Sequence, residues 1–213
     1  MKLGELAAAT DTSTATIKYY IREGLLPPGA KKNQTTSVYG PAHRERLELI
    51  SALRRLVGLS INQIRTLTTA IDDPGTGILT IMQTAQVLGG GLIPDADGLP
   101  EVENPAAEAL IDGVVAGQKW PDSPSIARNA AVAVVDELMR LGLDVDEDHL
   151  AVIAGAVDAI SGSAIDMDDS RDRIVMNVAV GTHRYSRLVL ALLQLGHTSH
   201  SIARARRDAL DHP

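Results

Sequence analysis

The sixteen residues Ser13-Thr14-Ala15-Thr16-Ile17-Lys18-Tyr19-Tyr20-Ile21-Arg22-Glu23-Gly24-Leu25-Leu26-Pro27-Pro28 constrain this chain more than any other stretch. They read as one short helix with marked ends. The Ser13 hydroxyl can accept a hydrogen bond from an otherwise unpaired N–H of the first turn. Gly24 stands where the helix must stop, because glycine takes the left-handed conformation at little cost. Pro27-Pro28 then prevent the helix from resuming. Ile17 and Ile21 lie four apart and form an inward stripe. Thr14, Lys18 and Arg22, at the same spacing, put donors and positive charge on another face, which suits a helix lying against a phosphate-lined groove. Upstream, Leu3 to Ala9 is Ala-rich and helix-prone, and Thr10-Asp11-Thr12 breaks it for a tight turn. Helix, short turn and basic second helix make the helix-turn-helix pattern, whose second helix enters the major groove.

Downstream, Leu25 to Tyr39 is a loop. Two short extended arms around Asn33-Gln34 would make a β-hairpin wing, from which Lys31 and Lys32 reach phosphates beside the groove; the alternative is a solvated loop with two incidental lysines. Gly40-Pro41 opens the next helix, with proline at the tolerated first position. Leu47, Ile50, Leu53 and Leu56-Val57 form its inward stripe, and Arg44, Arg46, Arg54 and Arg55 are expected to project outward. Gly58 closes it, and Ser60 caps a further helix over 61–71.

These pieces, in this order, resemble the DNA-binding domain of the MerR family of bacterial transcription regulators. The resemblance rests on Gly4-Glu5-Leu6-Ala7, Thr16-Ile17-Lys18-Tyr19-Tyr20, Gly24-Leu25-Leu26-Pro27-Pro28, Tyr39, Leu47-Glu48-Leu49-Ile50, Gly58-Leu59-Ser60 and Ile64. It covers roughly the first third of the chain. It implies a winged helix-turn-helix, with DNA contacts from Ser13, Thr14, Thr16, Lys18, Tyr19, Tyr20, Arg22, Lys31, Lys32, Tyr39 and Arg44. It further implies a homodimer reading an inverted repeat at a promoter, with activation by bending and untwisting an overlong spacer for RNA polymerase. Two departures stand out. Thr36 and Ser37 occupy the wing positions where the family carries a Tyr-Arg pair. Lys18 stands where the family commonly has arginine, and a lysine cannot make arginine's two-pronged contact with guanine or phosphate.

Asp72-Asp73-Pro74-Gly75 is a firm stop. The family continues here into a long dimer helix, but the next helical stretch, 77–88, spans only about three turns and Gly89-Gly90-Gly91 ends it. Either the dimer helix is shortened or the C-terminal part supplies the contacts. Asn104-Pro105 caps a helix to about Gln118, and Pro121-Asp122-Ser123-Pro124 caps another over 125–141. Asp144-Val145-Asp146-Glu147 starts a helix to about Ile160, with its acids favouring the macrodipole. Asp168-Asp169-Ser170 starts a long helix to Leu195, which Gly196 is expected to end, and a last basic helix covers 201–210. No strand-like alternation occurs. The fold class expected is mainly α: a winged helix-turn-helix over 1–73, a short linker helix and Gly/Pro-rich linker over 74–103, and an all-helical bundle over 104–213.

Charge divides the chain the same way. Residues 1–70 hold ten Lys/Arg against five Asp/Glu, and the rest ten against 22. The basic part is expected to meet phosphates, where counterion release supplies much of the affinity; the acidic part should face away from DNA. The absence of cysteine excludes disulfides, thiolate metal sites and redox switches. Nothing resembles a signal peptide or a membrane span, so a cytoplasmic protein is expected.

No catalytic constellation stands out, so an enzyme is not expected. Asp166-Met167-Asp168-Asp169 lacks the glycine and terminal glutamate of a calcium loop, and His197 and His200 lack the spacing of a zinc motif; no metal or cofactor is expected. For a small organic effector, the place to look is the bundle around Trp120, His183, Arg184 and Tyr185. Two function classes follow: an effector-responsive homodimeric transcription regulator, and a ligand-independent DNA-binding architectural or anchoring protein. A polar-lined cavity in the bundle would separate them.

Overall fold

The computed structural model describes residues 1–31, 33, 36–91, 102–121, 124–161 and 167–211, with side chains to residue 207. The fold is mainly helical, with one two-stranded hairpin. Helices α1 (Leu3–Ala9) and α2 (Thr14–Arg22) form the first pair, and Ser13 caps α2 by accepting from the Thr16 N–H at 3.0 Å. Gly24 takes φ +74°, the left-handed stop its position requires. Strands β1 (Ala30–Lys31) and β2 (Ser37–Val38) pair antiparallel, with Ala30 opposite Val38 and Lys31 opposite Ser37. The linker segment 92–101, Lys32, Gln34, Asp122, Ser123 and Asp166 lie outside the described residues.

Helix α3 (Pro41–Ala52) continues as a π-helical turn, Leu53–Val57, before Gly58 ends it at φ +87°. Helix α4 (Ile61–Asp72) begins with a reciprocal cap. The Ser60 hydroxyl accepts from the Gln63 N–H, and the Gln63 side chain accepts from the Ser60 N–H at 2.8 Å. Helices α5 (Ile78–Gly90), α6 (Pro105–Gln118), α7 (Ile126–Arg140), α8 (Glu147–Ser161) and α9 (Arg171–Asp211) follow.

Helix α9 departs from the sequence expectation. Gly196 does not end it, and one helix runs through 41 residues. Glycine inside a helix costs only about 1 kcal/mol, and the leucines near Gly196 favour the helix. Without proline nearby, nothing breaks the hydrogen-bond ladder. Gly89 is likewise inside α5 rather than past its end. A Cβ there would lie 2.6 Å from the Ala179 carbonyl oxygen, so this glycine is where α5 and α9 cross in contact.

The packing is not divided as the chain order suggests. The largest core joins Leu49, Ile50 and Leu53 with Ile64 and Leu67 of α4, Ile81 and Ala85 of α5, and Ile174, Val175, Val178 and Ala179 of α9. A second core holds Leu6, Ile17, Leu26, Tyr39 and Leu47. The first third of α9 therefore completes the core of the N-terminal domain. Helices α6 and α7 share a separate, smaller core of Ala107, Ile111, Val132 and Val135.

Candidate nucleic-acid interface

The exposed face of α2 is built from its buried one. Ile17 is fully enclosed, whereas Thr14, Lys18 and Arg22 stand in solvent. Arg22 lies over the Tyr19 ring, with Cζ 5.3 Å from its centroid. The cation–π contact keeps the guanidinium over the helix surface. The C-terminal end of α2 is fastened to α4, where Arg65 donates to the Glu23 carboxylate at 2.9 Å and to the Glu23 carbonyl at 3.3 Å. Lys31 is exposed on β1, and in the wing turn the Asn33 side chain accepts from the Thr36 N–H at 2.7 Å. Arg44, on the first turn of α3, pairs with Glu48 at 2.8 Å and keeps half its side chain in water.

The other residues singled out from the sequence hold different positions. The Ser13 and Thr16 hydroxyls bond each other at 2.8 Å, as part of the helix cap. Tyr20 is half-buried and packs against both N-terminal cores. Tyr39 does not join the surface: it is 6% exposed, among Leu6, Ile17, Leu26 and Leu47. Its ring meets His43 edge-on at 5.2 Å. A Cβ on Gly29 would stand 2.8 Å from this ring, so glycine is required where the wing passes over it. Gly29→Ala is expected to displace the wing and cost about 1–3 kcal/mol, read as a lowered urea midpoint.

Arg46 is the largest correction. Its sequence context predicts an outward side chain, yet it is 4% exposed. Its guanidinium donates to both oxygens of Asp72 (3.0 and 2.6 Å), to Asp172 and to the Leu25 carbonyl oxygen (3.3 Å). Burial works against its charge, but the hydrogen bonds to Asp72 and Asp172 and the negative charges of both together outweigh it and raise its pKa above the ordinary arginine value. Beside it, Arg171 caps the end of α4 by donating to the carbonyls of Ile71, Asp73 and Thr76 at 2.9–3.1 Å. One cue to this junction is present in the sequence, the acids at 72 and 172 at two helix ends.

A cavity of about 420 Å³ opens at the junction, lined by Pro27, His43, Arg46, Ile71, Asp72 and Arg171 among others. His43 Nδ1 accepts from the Gly40 N–H at 3.1 Å, which leaves Nε2 as a buried nitrogen without a hydrogen-bond partner. The four residues expected to form an effector site are not gathered. Trp120 donates to Asp158 at 2.7 Å, on the α6–α8 side. His183 Nδ1 lies 3.2 Å from the Gly89 carbonyl oxygen, and Tyr185 is 57% exposed on α9 instead of lying in a bundle core. Among the described residues no group of three His, Cys, Asp or Glu side chains converges as a metal site, and no helix is long and apolar enough to cross a membrane.

Comparison with known proteins places the N-terminal part. The family described as MerR HTH family regulatory protein matches residues 1–71. A curated relative, an HTH-type transcriptional regulator ZntR homolog of Haemophilus influenzae, is 36% identical over 67 residues. That match spans 32% of this chain and 49% of the relative, so the chain matches about half of the relative's length. The crystal structure of SCO5550 from Streptomyces coelicolor A3(2), a candidate transcriptional regulator, superposes with a TM-score of 0.67 at 26% identity. It covers 96% of this chain and 97% of the other, so the likeness includes the long last helix. Exposed Thr14, Lys18 and Arg22 on a capped second helix, a β-hairpin between that helix and α3 in the chain, and these matches converge: through residues 1–71 the chain carries a DNA-binding helix-turn-helix domain of the MerR family of transcriptional regulators.

Proposed function

We propose that this protein is a cytoplasmic transcriptional regulator that binds double-stranded DNA as a homodimer at promoter inverted repeats. The observation that carries the reading is the exposed Thr14–Lys18–Arg22 face of α2. Two such helices, about one helical turn or ~34 Å apart, would enter successive major grooves. Bending and untwisting the spacer between them would let RNA polymerase engage a misaligned promoter, with the cost set by the stiffness of the DNA.

The homodimer reading is supported by the half of α9 beyond His183, which carries exposed Tyr185, Leu188, Leu192, Leu195 and Ile202. Their alternating three- and four-residue steps, with Ser199 in the series, match the seam of a coiled coil. Effector sensing is supported by the cavity at the Arg46 junction, whose size falls within the range of small-molecule sites. It lies between α3, the end of α4 and the start of α9, so a small organic ligand there would touch both the N-terminal domain and the long helix.

The test is a gel shift with DNA from the promoter region beside its own gene, across a salt series. Lys18→Ala is expected to weaken binding and to reduce the slope of log K against log salt by about 1, the signature of one lost phosphate contact. Tyr19→Ala should also weaken the complex, by removing the platform under Arg22. Equal binding by wild type and both variants would overturn the reading.

A further inference from the structure

Helix α2 has two flanks. At about 100° per residue, Ile17 and Ile21 face the core, and Thr14 and Lys18 fall to one side of them. Thr16 and Tyr20 lie about 200° round from that pair, on the other side. A cavity of about 260 Å³ opens on this second flank, lined by Asp11, Thr12, Thr16, Ser51, Arg54 and Arg55 among others. Two guanidinium groups therefore stand beside the recognition helix on the side away from Lys18.

The two arginines are held differently. Arg54 donates to the Leu59 carbonyl oxygen at 2.9 Å, which ties it to the turn before α4. Arg55 makes a loose ion pair, its Nη1 3.9 Å from the Asp11 carboxylate, with side chains 67% and 98% exposed. Pairs this exposed hold weakly. Asp11 itself occupies the turn between α1 and α2 at φ +47°. Residues other than glycine rarely adopt this left-handed conformation, and aspartate and asparagine tolerate it best. The turn thus fixes a carboxylate in the lining of a basic cavity, on a DNA-binding domain.

A duplex with α2 in its major groove presents a phosphate strand to each flank of the helix. Lys18 serves the first. We propose that Arg55 takes a backbone phosphate of the second strand, and that Asp11 is a counter-charge which this phosphate must displace. The phosphate is the better partner, because it accepts in the forked geometry a guanidinium presents and releases condensed counterions on binding. Asp11 stays within a Debye length of the bound phosphate, so it weakens the complex without abolishing it. It sets affinity and not sequence preference, since phosphate contacts carry no base information. This site rests on the reading of α2 as the helix that enters the groove.

The slope of log K against log salt on a short duplex of arbitrary sequence is the test, since counterion release does not depend on sequence. Arg55→Gln is expected to lower the slope by about 1, as for one lost phosphate contact, and to do so on top of Lys18→Ala. Asp11→Asn is expected to bind several-fold more tightly at low salt, with the gain fading as salt rises. Asparagine keeps the left-handed turn, and a tighter complex cannot come from a folding defect. Arg140→Gln and Glu137→Gln, both on α7, control for net charge and should change neither slope nor affinity. An Arg55→Gln slope equal to wild type, or Asp11→Asn binding no tighter than Glu137→Gln, overturns the site, while a Lys18→Ala effect that persists keeps α2 as the groove-entering helix. A wild type that binds no duplex overturns both.

Discussion

Replacing Arg46 with leucine is expected to destabilise the protein by about 3–5 kcal/mol, the usual effect of removing one partner from a buried ion cluster. The guanidinium, itself almost fully buried, satisfies Asp72, Asp172 and the Leu25 carbonyl together, while Asp72 keeps about half its side chain in water. Its removal leaves Asp172 without this counter-ion and takes away one of the ties between the start of α9 and α3, where Ser170 still donates to Glu45 at 2.8 Å. Arg46→Lys should recover only a minor part, because one ammonium cannot fork toward two carboxylates and a carbonyl. Exchanging Arg46, Asp72 and Asp172 together for apolar residues of similar volume should cost far less than Arg46→Leu alone. Urea unfolding followed by circular dichroism measures each step. A loss below about 1 kcal/mol for Arg46→Leu, the scale of an exposed ion pair, would show that the cluster does not hold the two parts together.

Leu192→Asp should leave the folded chain intact and abolish its dimer. The side chain is more than half exposed within one chain, so no core is disturbed. In the proposed dimer it sits in the seam, where a buried carboxylate has no compensating partner. The consequence for DNA is large because two half-sites are held by one linked pair: loss of the linkage should reduce affinity for a full inverted repeat by about 10²–10⁴-fold. Affinity for an isolated half-site should be unchanged. Sedimentation with binding isotherms on full and half sites makes the comparison. A monomeric variant that still binds the full site as tightly as wild type would remove the homodimer from the account.

The legible parts of this fold are those written locally. Ser13, Gly24 and Pro27 mark the ends of α2 within a short span, and Ser60 with Gln63 does so for the start of α4. The face of α2 followed from spacing alone, because enclosing Ile17 fixes where Lys18 must point. The rest depended on partners far along the chain. Arg46 looks like any surface arginine until Asp172 arrives beside it, 126 residues away. Tyr39 matched a family position, and only the packing of Leu6 and Leu47 around it shows that its ring faces inward. Gly89 and Gly196 look alike as helix breakers. One marks a helix crossing and the other is carried through, since a glycine's cost is small beside the propensity of its neighbours.

The passage of α9 through the N-terminal core has a consequence for the nascent chain. The helix-turn-helix leaves the ribosome well before Ile174, Val175, Val178 and Ala179, which finish its core. At about 5–20 residues per second, the interval between Arg46 and Asp172 is roughly 6–25 s. Throughout that time Leu49, Ile50 and Leu53 await their covering, and Arg46 lacks one of its two carboxylates. A ribosome stalled before residue 170 therefore carries a recognition helix whose supporting core is still open. Closure of the core under the recognition helix is thereby tied to synthesis through about residue 179, a dependence that a domain closed within residues 1–71 would not have.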